Sequence, residues 1–228
     1  MATKAPGTAA GKSEPRKRMS ASERREEILA AATEVFAQSG FHQTAIDKIA
    51  RQAGVSKALI YEHFSSKSEL QETVLRQLTT DLFEQIATRV AAAPNDSQVR
   101  LRAGLDAYFV FIEERRAAWH MMFRESVGRE ASEVLLALEP TFVSGIQAVL
   151  SESPEAAPLI GTVEGSVQLR VGAQMLTGSM QWLGNWWVDN IDLVPRDTMV
   201  QWAMDAVWLG VEGWATKTAA LNAAATKP

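Results

Sequence analysis

The chain has no cysteine among its 228 residues. Disulfides, a thiol nucleophile and thiolate metal sites are therefore excluded, which fits a reducing compartment. Histidine is scarce. His42, His63 and His120 show no paired spacing of the kind metal sites use, so no metal and no cofactor are expected. No run approaches the roughly 20 apolar residues of a membrane span. The most apolar stretch, Val171 to Val188, is interrupted by Gln174, Gln181 and Asn185. The N-terminus lacks the apolar core of a signal peptide, so a cytoplasmic protein is expected. A phosphate-binding glycine loop and a nucleophile motif are also missing, and with them the usual marks of an enzyme. Strand signals and internal repeats are lacking. The remaining signal is helical throughout, and the expected fold class is all-α.

Charge is unevenly placed. The net charge is -4, yet Lys4, Lys12, Arg16, Lys17 and Arg18 face only Glu14 near the N-terminus. A basic end on an acidic body is an asymmetry seen in nucleic-acid binders. Ala, Gly, Pro, Thr and Ser dominate this segment, so residues 1–21 are expected to form a disordered basic arm. Arg16, Lys17 and Arg18 are candidates to reach phosphates or the minor groove. A solubilising tail is the alternative.

Residues 44–64 read TAIDKIARQAGVSKALIYEHF. Thr44 with Asp47 three residues on has the form of a capping box, which predicts a helix start. Ile46, Ile49, Ala50 and Ala53 recur at helical spacing and form one apolar face. Gly54 follows where a helix end favours a left-handed backbone, and Val55 can plug the turn. Ser56 is an N-cap residue for a short helix from Lys57 to about His63. Ile60 and Phe64 then point inward, leaving Lys57, Ala58, Leu59, Tyr61 and Glu62 outside. Ser66 and Glu69 form a second capping box that starts a longer helix. Two helices about a glycine turn match a helix-turn-helix over about 45–64, whose second helix enters the major groove. A plain helical hairpin within a bundle has the same elements. A tyrosine and a leucine on the outer face, with Lys67 opening the next helix, suit bases and phosphates better.

These residues carry a resemblance. GVSKALIYEHFSSKSEL resembles the recognition segment of the TetR family of bacterial transcriptional regulators, through Gly54, Tyr61, His63, Phe64 and Lys67. Upstream, Arg24, Arg25, Glu26, Ile28, Leu29, Ala32, Phe36, Gly40 and Phe41 match the family's first helix and its end, and Thr44 its second-helix cap. The match spans roughly residues 22–75. It implies an N-terminal three-helix DNA-binding domain over 22–75, then a larger helical ligand-binding and dimerisation domain over 76–220, with 221–228 as a disordered tail.

The resemblance also implies roles. Tyr61, His63 and Lys67 match positions that grip phosphates. Thr44 and Ser56 sit at helix N-termini, which suit phosphate on physical grounds as well. Lys57 is the candidate direct reader, since a lysine donates to guanine O6 and N7, while Ala58 and Leu59 suit thymine methyls. Leu59 departs from the small or polar residue many relatives carry there, so base preference is open. A homodimer through the last two long helices, a palindromic double-stranded DNA operator and a small-molecule effector follow from the same likeness.

Further along, the pattern predicts helices over 70–92, 97–114, 117–125, 131–150 (bent at Pro140), 163–190 and 195–220, with 151–161 as a loop. Met180, Leu183, Trp187, Met199, Trp202, Val207, Leu209 and Trp214 are many large apolar groups for two helices of a monomer. Gly172, Gly178, Gly184 and Gly210 permit close helix approach, so a two-fold four-helix bundle is expected. Tyr108, Phe111, Trp119, Met122, Phe123, Phe142, Met175 and Trp182 are candidates to line an apolar ligand pocket, with Arg116, His120, Gln174 and Asn185 as polar anchors. The same residues suit core and dimer packing. The expected function is a sequence-specific repressor released from its operator by a small hydrophobic or aromatic ligand. The alternatives are an activator or global regulator without a ligand, a regulator of lipid metabolism sensing acyl compounds (residues 108–125 are similar to such regulators), and a helical ligand-binding protein with an idle DNA surface.

Overall fold

Nine α-helices form among the residues described by the computed structural model, 19–123, 129–152 and 154–225. The candidate arm residues Arg16, Lys17 and Arg18 lie outside the described residues.

Helix α1 spans Ala21–Ser39 and starts at a reciprocal capping box. The Ser20 hydroxyl accepts from the Glu23 amide, and the Glu23 carboxylate accepts from the Ser20 amide. The Ser20 amide, and secondarily the nearby Ser20 hydroxyl, hold the Glu23 carboxyl below its ordinary range. Ile28, Leu29, Ala32, Val35 and Phe36 line one face and are buried. Helix α2, Ile46–Gln52, begins differently from expectation. Its N-cap is Ala45, with no side-chain hydrogen bond. Thr44 is only 3 % exposed, and its hydroxyl donates to the Gly40 carbonyl at 2.6 Å. Thr44 thus closes the α1–α2 turn instead of capping α2, because its hydroxyl meets an orphan helix-end carbonyl first.

Gly54 has φ 65° and joins α2 to α3, Lys57–His63. The Ser56 hydroxyl caps α3 by accepting from the Leu59 amide at 3.1 Å. Ile60 and Phe64 point inward and are almost fully buried. Helix α4, Lys67–Ala92, is capped by Ser66, which accepts from the Glu69 amide. The reciprocal half of this expected box is moved by one residue, since the Glu69 carboxylate accepts from the Ser65 amide and hydroxyl instead.

The larger part contains α5 (Ser97–Glu114), α6 (Arg116–Phe123), α7 (Arg129–Ser151), α8 (Val163–Trp187) and α9 (Arg196–Ala225). Asp96 is the N-cap of α5 and accepts from the Val99 amide, so the Pro94–Asp96 break also opens the next helix. Helix α7 continues through Pro140. The 151–161 segment, expected as a plain loop, contains a 3-10 turn over Pro154–Leu159. Residues 221–225, expected in a disordered tail, continue α9, in line with the high helix propensity of their alanines.

Helix α4 is the common element. Helix α1 packs on α2, α4 and α6; α4 packs on α5 and α7; α5 packs on α9, and α7 on α8. One apolar core runs from Ile28 and Phe36 through Leu70, Val74, Leu75, Leu78 and Leu82 of α4 to Phe109, Trp119 and Trp187. A smaller core of Leu150, Ala156, Leu159 and Leu169 joins α7, the 3-10 turn and α8. Among the described residues no helix is long and apolar enough to cross a membrane.

The turn residue Gly54 isolates backbone strain. A Cβ there would touch nothing within 4 Å, so Gly54→Ala changes conformational energy without a clash. A left-handed alanine costs about 1–2 kcal/mol. Urea unfolding should show a loss of that size; an unchanged midpoint would mean the turn relaxes to another backbone conformation.

Candidate nucleic-acid interface and ligand cavity

The outer face of α3 is built by its inward residues. With Ile60 and Phe64 fixed in the core, Lys57, Ala58 and Tyr61 are exposed, and Leu59 and His63 are half-buried. Tyr61 is 45 % exposed, unusual for a ring that has no packing role to fill there. Ser56 leads this face at the α3 N-terminus. Lys57 is not free: its Nζ lies 3.1 Å from Asp47 Oδ2 of α2. The pair is about half exposed, so it exchanges readily for another anion. Thr44 lies below this face, its hydroxyl already engaged with Gly40.

Lys67, at the first turn of α4, sits 4.2 Å above the Phe41 ring. Partial burial pulls its ammonium below the ordinary lysine range. Arg25 of α1 lies 4.6 Å over Phe64. These two cation–π contacts tie α1 and the α1–α2 turn to the segment after α3. Asp47 links α2 to α3 through Lys57, and Gln52 donates to Glu34 of α1 at 2.7 Å. The short helices are therefore held at a fixed angle to α1.

A cavity of about 820 Å³ opens inside the larger part between α4, α5, α6, α7 and α8. Its size is that of a small-molecule site. Four of the sequence candidates line it: Tyr108, Trp119, Phe123 and Phe142. Phe142 stacks on Phe83 of α4 with ring centroids 3.4 Å apart. The Tyr108 hydroxyl donates to the Met180 carbonyl at 2.6 Å, and the Trp119 indole N–H donates to Asn185 at 3.0 Å. Gly184 explains how the two rings reach α8. A Cβ there would stand 2.5 Å from the Tyr108 oxygen and 2.7 Å from the Trp119 ring.

Eight candidates lie elsewhere. Phe111 and Met122 are fully buried in the main core. Arg116 is exposed, and His120 lies on the surface beside Asp189 at 3.5 Å. Gln174 faces out and pairs with Glu139 across α7 and α8. Met175 is exposed and Trp182 is 78 % exposed. Asn185 stands behind Trp119 as its acceptor. These residues were placed by type, whereas burial depends on which helical face meets α4. The missed wall is α4 itself, where Leu82, Ile86 and Val90 recur every four residues beside Phe83. That spacing was present in the sequence. The polar lining residues Arg100, Glu139 and Glu152 were missed too.

The dimer candidates also redistribute. Trp187 and Met199 are buried within the chain, Met180, Leu183 and Val207 are half-buried, and Trp202 and Leu209 are exposed. The side chain of Trp214 lies outside the described residues. An unforeseen stripe of Val163, Val167, Val171, Met175, Trp182 and Trp186 is exposed along α8. Gly184 serves the inner packing described above, while Gly178 and Gly210 have open space beside them.

The family model for bacterial regulatory proteins, tetR family, matches residues 28–74. The chain is 30 % identical over 198 residues to the HTH-type transcriptional activator FasR of Mycolicibacterium smegmatis, covering 85 % of each. A transcriptional regulator structure from Pseudomonas aeruginosa superposes with TM-score 0.73 at 19 % identity, over 88 % of this chain and 95 % of that one. The FadR structure from Bacillus subtilis in complex with stearoyl-CoA gives TM-score 0.66 at 19 % identity, over 80 % and 96 % respectively.

Tyr108 offers a direct check of the cavity wall. Removal of its phenol from water raises its pKa well above 10.0. The unfolded chain loses this proton first, so the associated stability is present below about pH 10 and is lost as pH rises toward the folded value. Since the chain has two tyrosines, the phenolate absorbance of the folded protein should retain a late step that Tyr108→Phe removes. A titration without that late step would mean water reaches the hydroxyl.

Proposed function

The chain belongs to the TetR family of bacterial transcriptional regulators, and from that premise we propose that it is a DNA-binding repressor whose operator affinity is set by an apolar ligand in the cavity. It acts in the cytoplasm as a homodimer and not as an enzyme. The observation that carries this proposal is the continuity of α4. Its first turn bears Lys67 beside α3, its middle fills the core of the DNA-binding head, and its last turns line the cavity.

On DNA, Tyr61, His63 and Lys67 hold phosphates and Lys57 reads a base edge, with Ala58 and Leu59 against thymine methyls. Ser56 and the backbone at the start of α3 add a phosphate contact. Thr44 contributes through its turn and not through its hydroxyl. The exposed cation of Lys57 leaves Asp47 for the DNA. The basic arm, with Arg16, Lys17 and Arg18, adds salt-dependent affinity. A two-fold partner covers the apolar stripe of α8 and the exposed Trp202 and Leu209 of α9, and so presents two recognition helices to a palindromic site.

Ligand entry is transmitted by α4 and α6. Trp119 and Phe123 of α6 line the cavity, while Met121, Met122 and Ala118 are buried in the main core where α6 meets α1. Filling the cavity displaces these rings, and the two recognition helices leave the spacing that one face of DNA requires. Release occurs only to the extent that the ligand binds the displaced form more tightly. An acyl compound suits the apolar walls, and the FadR structure with stearoyl-CoA is a relative of this fold that holds one. Activation is the alternative sign of regulation, favoured by the likeness to FasR, whose name describes an activator.

The test is binding to DNA from upstream of the chain's own gene, against unrelated DNA, across a salt series. Lys57→Ala should cost about 1–3 kcal/mol and relax base preference, while Tyr61→Ala should weaken binding to all sequences. Both side chains are exposed, so the unfolding midpoint should stay within experimental error. Equal weak binding of the wild-type protein to both DNAs would contradict an upstream operator.

A further inference from the structure

The walls of the cavity are apolar along most of their length, and three charged residues line it: Arg100, Glu152 and, farther back along α7, Glu139, which accepts from Gln174. Arg100, in the first turn of α5, is the single Lys or Arg among the described residues that line it. Its guanidinium donates to the Glu152 carboxylate, which lies just past the end of α7. Tyr108 is two turns farther along α5, about 12 Å away at the helical rise. Trp119 stands edge-on to Tyr108, and Phe123 packs against Trp119. The lining thus holds the Arg100–Glu152 pair at the start of α5 and an aromatic group of Tyr108, Trp119 and Phe123 two turns farther along.

The two members of this ion pair are not equivalent. The Arg100 side chain is 22 % exposed, against 51 % for Glu152. A half-buried guanidinium needs an oxyanion, and its planar fork suits a carboxylate or a phosphate. An exposed carboxylate loses little when it turns into water. Exchange of partner is therefore favourable in one direction only: an incoming anion takes Arg100, and Glu152 is released to solvent. A cationic ligand that paired with Glu152 would strand the more buried Arg100, which is the costlier outcome, and the other lining carboxylate, Glu139, is engaged by Gln174 away from this pair.

We propose that Arg100 anchors the anionic end of a single-chain amphiphile whose apolar body runs along the cavity toward Trp119 and Phe123, with Glu152 as the internal anion that this end displaces. The assignment rests on the ligand-responsive function proposed above and specifies the chemistry of its ligand: a carboxylate or phosphate oxyanion on an unbranched apolar chain. Because Glu152 follows α7 and Arg100 starts α5, exchange of the pair also removes one polar tie between the two helices.

Calorimetric titration of the full chain with dodecanoate, dodecyl phosphate and dodecanol tests this. The wild-type protein should bind both anions at least tenfold more tightly than the alcohol, and the tighter of the two anions identifies the head group. Arg100→Ala should lower affinity for the anions tenfold or more and leave dodecanol within twofold, which also shows that the cavity remains intact. Arg100→Lys should restore part of the loss. Glu152→Gln should raise anion affinity severalfold by removing the competitor. Equal binding of all three probes by the wild-type protein would overturn the role of Arg100 and leave the apolar cavity as the ligand site. An equal loss for all three in Arg100→Ala would make Arg100 structural. Binding of none of them would overturn the apolar-ligand proposal itself, and this assignment with it.

Discussion

The structure depends on one helix being buried by two different sets of partners. Helix α4 begins under the recognition helix and ends in the wall of the cavity, and it has no break between Lys67 and Ala92. Leu70, Val74 and Leu75 are fully buried, and Leu78 and Leu82 nearly so, which leaves no point along the first four turns where the helix can bend without exposing core. A close-packed core transmits displacement instead of absorbing it. In the coupling proposed above, a change at Phe83 or Ile86 is carried to Lys67 as tilt or translation of the whole rod.

The second route runs through α6, which is short and packs on both sides. Trp119 is edge-on to Tyr108 and tilted against Phe123, and Tyr108 and Trp119 close over Gly184. The indole and phenol hydrogen bonds to Asn185 and Met180 give each ring a fixed polar contact on α8. Such a cluster has few intermediate arrangements, which is the property a two-state coupling element requires. The connection from α6 to α1, and from α1 to Phe64 through Arg25, reaches the recognition segment without passing through solvent.

The DNA-binding head was almost wholly legible because its signals are local. Ser56 and Ser66 are caps, Gly54 has the left-handed backbone, and Ile60 and Phe64 are buried as the spacing demands. Thr44 and the Glu69 half of the second capping box are the exceptions, and their alternative partners, the Gly40 carbonyl and Ser65, are also local. The larger part was legible in its helices and much less in its faces. Helices α7 to α9 carry apolar residues on more than one side, so periodicity alone does not say which side meets α4, which side lines the cavity and which side is left for a partner. Trp182 and Trp187 illustrate this: five residues apart on one helix, the first is largely exposed and the second fully buried. The pairing of Arg100 with Glu152 joins residues distant in sequence, and no local pattern marks it.

The central claim is that occupancy of the cavity, and not contact with the DNA face, sets operator affinity. Gly145 of α7 lines the cavity, and a Cβ built on it meets nothing within 4 Å. Gly145→Phe therefore adds a ring at the cavity wall without a clash at its Cβ, while every residue of the DNA-binding head stays unchanged. The most direct measurement is the operator affinity of this variant beside the wild-type protein at one salt concentration, with folding checked by thermal unfolding. The coupling described above predicts a loss of at least tenfold without any ligand. Wild-type operator affinity in a folded Gly145→Phe protein would contradict it.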